Sequence, residues 1–190
     1  MPRLCRRMAG MRIAFLLLLF SPGAALASEA LWSLLEGGGQ VILIRHAVTT
    51  PGSGDPPGMR LDDCGTQRNL SDDGRQHARR IGEEFRKRRI PVARVLSSPW
   101  CRCLETARLA FGKAEVARPL DNLFGRHENR ERQIRELRRL LEAPRGANLV
   151  LVSHGSTILA FTGISPGTGE HVIVTPKADG SFAVAGRLTP

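Results

Sequence analysis

The chain has no apolar run approaching the roughly 18 residues that a bilayer-spanning helix needs, which excludes a polytopic membrane protein. No segment repeats with a period of about 20–50 residues, so a solenoid is excluded as well. Four cysteines among 190 residues are too few for a disulfide-built scaffold. Core-forming material is not lacking. Hydrophobic residues make up 42% and charged residues 24%, so composition does not dictate disorder, and the length suits one domain.

Lys and Arg exceed Asp and Glu by 28 to 18, which raises nucleic acid as a partner. The N-terminus removes much of that argument. Met1 to Arg12 carries four arginines and no acid, Ile13 to Phe20 is a short apolar run, and Ala25-Leu26-Ala27 is a small-x-small pattern. Basic, apolar and small-residue regions in that order describe a secretory signal peptide over 1–27, cleaved before Ser28. No Cys follows the apolar run, so the signal is not of the lipoprotein kind. Cleavage deletes four arginines and no acid, lowering the formal charge from +10 to +6. The remaining arginines concentrate in 75–89 and 130–139, interleaved with Glu83, Glu84, Glu131 and Glu136. Such mixed runs are solvated helix faces, and no aromatic residues interleave them for base stacking. The expected setting is the periplasm or exterior, with a phosphorylated small-molecule or glycan substrate as partner, no nucleic acid and no stable membrane insertion. Oligomeric state is left open.

The rest of the chain alternates between strand and helix patterns, which predicts one α/β domain over 28–190. Its architecture would be a three-layer α/β/α sandwich around a mostly parallel sheet. Val41 to Arg45 and Asn148 to Val152 are continuous apolar runs, as strands buried on both faces require. Val92 to Leu96, Val172 to Val174 and Ser181 to Leu188 are further strands. Ala47 to Arg60, rich in Pro and Gly, is loop. Ser71 caps a helix running to about Arg89, and Ser98 with Pro99 opens another through Phe111. Glu128 to Leu141 is amphipathic, and Ser156 to Thr162 starts a short helix.

Three segments place reactive side chains just after a strand, where α/β sheets build their sites: Arg45-His46-Ala47, Ser97 to Ala107 with Arg102, and Ser153-His154-Gly155. One such His is usually a satisfied polar residue. Two His and two Arg converging from one small sheet form a poor metal site, lacking Asp, Glu or Cys ligands, and a good seat for a phosphoryl dianion. Arginine forks match phosphate oxygens, and an imidazole can attack phosphorus. A Cys-based phosphatase is disfavoured because no Cys-x5-Arg loop occurs.

At these residues the sequence resembles the histidine phosphatase superfamily, the phosphoglycerate mutase-like group. Arg45-His46-Ala47, Ser97 to Ala107, Ser153-His154-Gly155 and the helix entry Arg68 to Gly74 match its motifs in order. The resemblance implies that His46 is the nucleophile and becomes phosphohistidine. Arg45, Arg102 and His154 would then hold the transferring oxygens, with no cofactor and no metal. Family members carry an acid four residues before a Gly, which here is Asp121 before Gly125. Asp121 is preferred as proton donor over Glu128, which suits the first turn of the next helix. Thr49, Thr50 and Arg68 either contact substrate or are ordinary loop polar residues.

After cleavage Cys64, Cys101 and Cys103 remain, and export favours a disulfide of Cys64 with one of the other two. The leading expectation is an exported, metal-independent phosphomonoesterase acting on phosphorylated envelope sugars such as lipopolysaccharide-core heptose phosphate. A phosphohistidine protein phosphatase of the same fold is the first alternative. The second is a non-catalytic binder of anionic envelope glycans.

Overall fold

β1 (Val41–Arg45) has four buried residues followed by a half-buried arginine, because the strand lies between neighbours in a sheet covered on both faces. The computed structural model describes residues 22–141 and 145–189; residues 1–21, which hold most of the expected signal peptide, lie outside them. A helix ahead of the strand, α1 (Pro22–Glu36), was not expected. After β1 the chain runs through α2 (Asp72–Lys87), β2 (Val92–Ser97), α3 (Cys101–Phe111) and the short β3 (Glu115–Val116). Then follow α4 (Arg130–Arg138), β4 (Asn148–Ser153), α5 (Gly155–Thr162), β5 (His171–Pro176) and β6 (Phe182–Leu188).

The six strands form one sheet in the order β3-β2-β4-β1-β5-β6. β4 pairs parallel with both β1 and β2, and β2 parallel with β3, while β5 runs antiparallel to β1 and β6. The sheet is therefore mixed, with β5 alone reversed. One face packs Ile42, Ile44, Val150 and Val152 against α1, α2 and α3 through Trp32, Ile81, Phe85 and Ala107. The other packs Val41, Leu43, Leu149 and Leu151 against α4 and α5 through Leu137, Ile158 and Phe161. This is the three-layer α/β/α arrangement. Phe85 meets Trp32 and Phe111 edge to face at 5.7 and 5.1 Å, so its truncation to Ala would cost about 3–5 kcal/mol.

Ser71 caps α2 by accepting from the Gly74 amide at 3.0 Å. Gly74 has to be glycine for a second reason: a Cβ there would stand 1.8 Å from the Val48 carbonyl oxygen. The helix thus lies directly against the loop that leaves β1. The expected cap at Ser98 is corrected. α3 begins at Cys101 with Trp100 at the cap and no side-chain bond, because the Ser98 hydroxyl is committed to His154. The Glu128–Leu141 helix is also corrected, to Arg130–Arg138 behind a 3-10 turn at His127–Asn129.

In sequence, α1 joins the small-residue end of the leader pattern to the start of the domain, so no single local cue marks it as one helix. Its C-terminal half packs Trp32 and Leu35 into the core, and Glu29 pairs with Arg88 at 2.8 and 2.9 Å. Leu26, by contrast, is exposed.

Candidate active site

β1 and β4 run parallel with Arg45 opposite Ser153, so the residues that follow each strand emerge side by side at the same edge. The His46 amide donates to the Ser153 carbonyl at 2.9 Å, and the His46 and His154 rings stand 5.5 Å apart. β2 ends beside them: the Ser98 amide donates to the Val152 carbonyl, and the first turn of α3 carries Arg102 inward. Parallel strands ending together are why residues more than 100 positions apart share one site.

His46 is 4% exposed. Its Nδ1 lies 2.9 Å from the Ala47 carbonyl oxygen, which can only accept, so Nδ1 carries the hydrogen and the Nε2 lone pair is free. Burial drives its pKa down to about 3, against the pull of the Ala47 carbonyl and with help from Arg102, Arg45 and Arg68. The imidazole is thus neutral at ordinary pH, the state in which its free Nε2 lone pair could attack phosphorus.

His154 is committed at both nitrogens. Nδ1 accepts from Arg102 at 3.4 Å, a long contact, so Nε2 donates to the Ser98 hydroxyl at 2.9 Å. Burial, then the neighbouring His46 and arginines, hold its pKa well below the ordinary histidine value.

Arg45, half-buried, donates from one terminal nitrogen to the Pro166 carbonyl at 2.9 Å, and its buried Nε has no partner. Arg68 is held by the loop: Nε donates to the Gly54 carbonyl at 2.7 Å, and a terminal nitrogen to the Thr49 hydroxyl and the Gly52 carbonyl. Arg45, His46, Arg68, Arg102 and His154 all line one cavity of about 450 Å³. Thr49 and Thr50 are not in its wall; Thr49 orients Arg68 instead.

The wall also omits both candidate acids. Asn122 and Phe124 line it, whereas Asp121 points an oxygen toward Arg118 at 3.7 Å. Its other oxygen is buried without a partner, and burial raises the carboxyl above its ordinary range despite Arg118 and Arg126. Glu128 is exposed and, among the described residues, accepts from Asn129.

Sequence reasoning missed Asp55. Its carboxylate accepts from both terminal nitrogens of Arg102 at 2.6 and 3.1 Å, from the Arg68 amide and from Trp100 Nε1. Burial works to raise its pKa, and the Arg102 fork and charge outweigh that and hold it low. The available signal was that Asp55 is the single acid between Ala47 and Arg60. Cys64 pairs with Cys101, deciding between the two expected bridges, and Cys103 is free and buried with its thiol pushed up to about 12. The bridge and a bond from the Cys101 amide to Gln67 anchor the start of α3 next to Arg102.

Among the described residues, no group of three or more His, Cys, Asp or Glu is arranged to hold a metal ion. Likewise no helix there is long and apolar enough to cross a membrane.

Residues 41–124 match the histidine phosphatase superfamily (branch 1). No curated protein matches the chain. Among solved structures, the chain is similar to the protein histidine phosphatase SixA complexed with tungstate. The identity is 17% and the TM-score 0.53, over 79% of this chain and 96% of that one. It is similar to a phosphoserine phosphatase of Entamoeba histolytica with 3-phosphoglyceric acid, at 15% identity and TM-score 0.59 over 80% and 97%. A third is the alpha-ribazole phosphatase of Shigella flexneri, at 16% and 0.56 over 76% and 94%. At such low identity these structural likenesses show a shared fold.

Proposed function

We propose, from the match of residues 41–124 to the histidine phosphatase superfamily, that the chain is a member that hydrolyses phosphomonoesters through a phosphohistidine on His46. The observation that carries this reading is the state of His46: buried, neutral, with Nδ1 held by the Ala47 carbonyl and Nε2 free beside three arginines. In the first step the Nε2 lone pair forms the N–P bond while the bond from phosphorus to the ester oxygen breaks. In the second, water attacks phosphorus and the N–P bond breaks, releasing phosphate and neutral His46. Arg45 and Arg68 line the cavity and neutralise the charge on the equatorial oxygens, as phosphoryl transfer chiefly requires. Arg102, paired with Asp55, and neutral His154 supply a fixed frame for that seat, since most of their donors are already committed within the protein.

We assign the proton on the leaving oxygen to Asp121, because its carboxyl has a raised pKa and one unpartnered oxygen. The assignment requires the 121–125 turn to swing that carboxyl past Asn122. The substrate we favour is a phosphorylated sugar of the cell envelope, heptose phosphate of lipopolysaccharide core being the example, met after export and cleavage behind Ala27. What supports this is the signal-like N-terminus and a disulfide next to the site.

The test is turnover of p-nitrophenyl phosphate by the purified chain with EDTA present, followed by a screen of sugar, lipid and peptide phosphates. Activity that depends on added metal would contradict the site reading. Preference for phosphohistidine peptides over every sugar phosphate would move the substrate assignment and keep the chemistry.

A further inference from the structure

The cavity around His46 does not stop at the seat for phosphorus. Phe124 and Leu159 are 65% and 45% exposed, and both stand in its wall. Exposed apolar side chains scattered singly need no explanation. These two come from different elements, the turn before α4 and the helix α5, and border the same opening. Together with Ser156 they also line a neighbouring cavity of about 250 Å³, so the two spaces share an edge.

The far side of that second space is basic. Arg126 and Arg130 line it, and no acid does. Nearby arginines are paired, Arg118 with Asp121 and Arg135 with Glu131, but among the described residues no ion pair involves Arg126 or Arg130. Arg126 is placed as well as exposed. Its guanidinium lies over the Trp100 ring at 5.3 Å, and that ring meets His154 edge-on at 5.2 Å. An apolar step followed by two unpaired cations therefore leads away from the histidine pair.

We infer that this second space is a leaving-group subsite. It takes an alcohol that lays an apolar stretch on Phe124 and Leu159 and offers a second anionic group to Arg126 and Arg130. The inference rests on the phosphatase reading for placing the phosphoryl group at His46. Within the envelope phosphomonoesters proposed above, it narrows the class to those whose alcohol part also carries an apolar stretch and another acidic group.

Binding of non-hydrolysable phosphonates, measured by calorimetry, tests it without relying on turnover. Phosphonohexanoate should bind about fivefold more tightly than hexylphosphonate, the scale of partly exposed ion pairing. In Arg126→Ala/Arg130→Ala that ratio should fall to about one. Arg130→Ala alone, a change at an exposed residue, should lower it part of the way even if the double variant folds poorly. Leu159→Asp should weaken both ligands. Equal affinity of the two phosphonates for the wild type, or a ratio that survives loss of both arginines, overturns the subsite. Turnover of p-nitrophenyl phosphate on the same preparation separates the two ideas. Turnover without the preference removes the subsite alone, and the preference without turnover removes the phosphatase reading.

Discussion

Arg102 and Asp55 meet side by side behind the wall of the site, both terminal nitrogens of the guanidinium on both oxygens of the carboxylate, with the side chains only 2% and 10% exposed. The Arg68 amide and Trp100 Nε1 complete the carboxylate's set of donors. A buried pair of this kind adds little net stability over an apolar substitute, yet breaking it leaves an uncompensated charge inside the protein. Asp55 therefore sets where Arg102 points and ties the Gly-rich loop to the start of α3.

Removing either partner should be costly for that reason. Asp55→Ala and Arg102→Ala are each expected to lower unfolding free energy by about 3–5 kcal/mol. The double variant should cost less than the sum, with a coupling of about 1–3 kcal/mol in urea titrations. Additive losses would show that the pair is not a unit.

His46→Ala should abolish turnover while the cooperative thermal transition remains, because the ring makes one backbone hydrogen bond and no other side chain can form the phosphoenzyme. Wild type quenched in alkaline detergent should carry phosphate on His46 that is stable to alkali and labile to acid. Activity of the alanine variant within about tenfold of wild type would remove the assignment. Arg45→Ala should reduce kcat/KM by about a hundredfold or more, the usual loss for one contact to transition-state charge.

The donor role of Asp121 is read from leaving groups. A sugar alkoxide needs a proton in the transition state, and p-nitrophenolate hardly does. Asp121→Asn should slow alkyl phosphates by about 10²–10⁴ and p-nitrophenyl phosphate far less. Glu128→Gln should change neither much. Equal slowing of both substrates would take the role away from Asp121.

His171 offers a test of pH dependence. It is fully buried on β5 against Phe85 with both ring nitrogens unpartnered, and burial lowers its pKa from 6.5 to about 4. The unfolded chain then binds the proton more readily, so this contribution to stability is complete above about pH 6.5 and is lost as pH falls toward about 4. Between pH 7 and pH 5 the loss from this group alone should be about 2 kcal/mol. His171→Leu should flatten the pH dependence of the urea midpoint by that amount, and an unchanged profile would contradict the burial argument.

Export is tested at the N-terminus. Mass spectrometry of the protein recovered from the periplasm should find Ser28 first. The cut falls within α1, yet it spares Glu29, Trp32 and Leu35, through which that helix is anchored. The cleaved form should therefore keep the thermal stability of the full chain. An intact Met1 in exported protein would reject the signal.

Much of the fold was legible in the order of residues because its cues are local. Val41 to Arg45 and Asn148 to Ser153 are apolar enough to declare strands buried on both faces, and Ser71 with Gly74 declares a helix start. The placement of Arg45-His46, Arg102 and His154 just after strands was enough to predict that they meet at one edge of the sheet, where all four line one cavity. α1 was not legible, since nothing local distinguishes its last two turns from the end of a leader until Trp32 and Leu35 meet the sheet. Nor was the use of Ser98, which any helix rule assigns to a cap and which His154 claims instead. The tertiary structure alone decided what the site's charges do. Asp55 stands 47 positions from Arg102, and whether a loop carboxylate neutralises an arginine or faces water depends on how the chain folds back, which no local pattern encodes. The choice of Cys101 over Cys103 has the same origin: two cysteines two apart on one helix point to different sides, and only the docked loop determines which one Cys64 can reach.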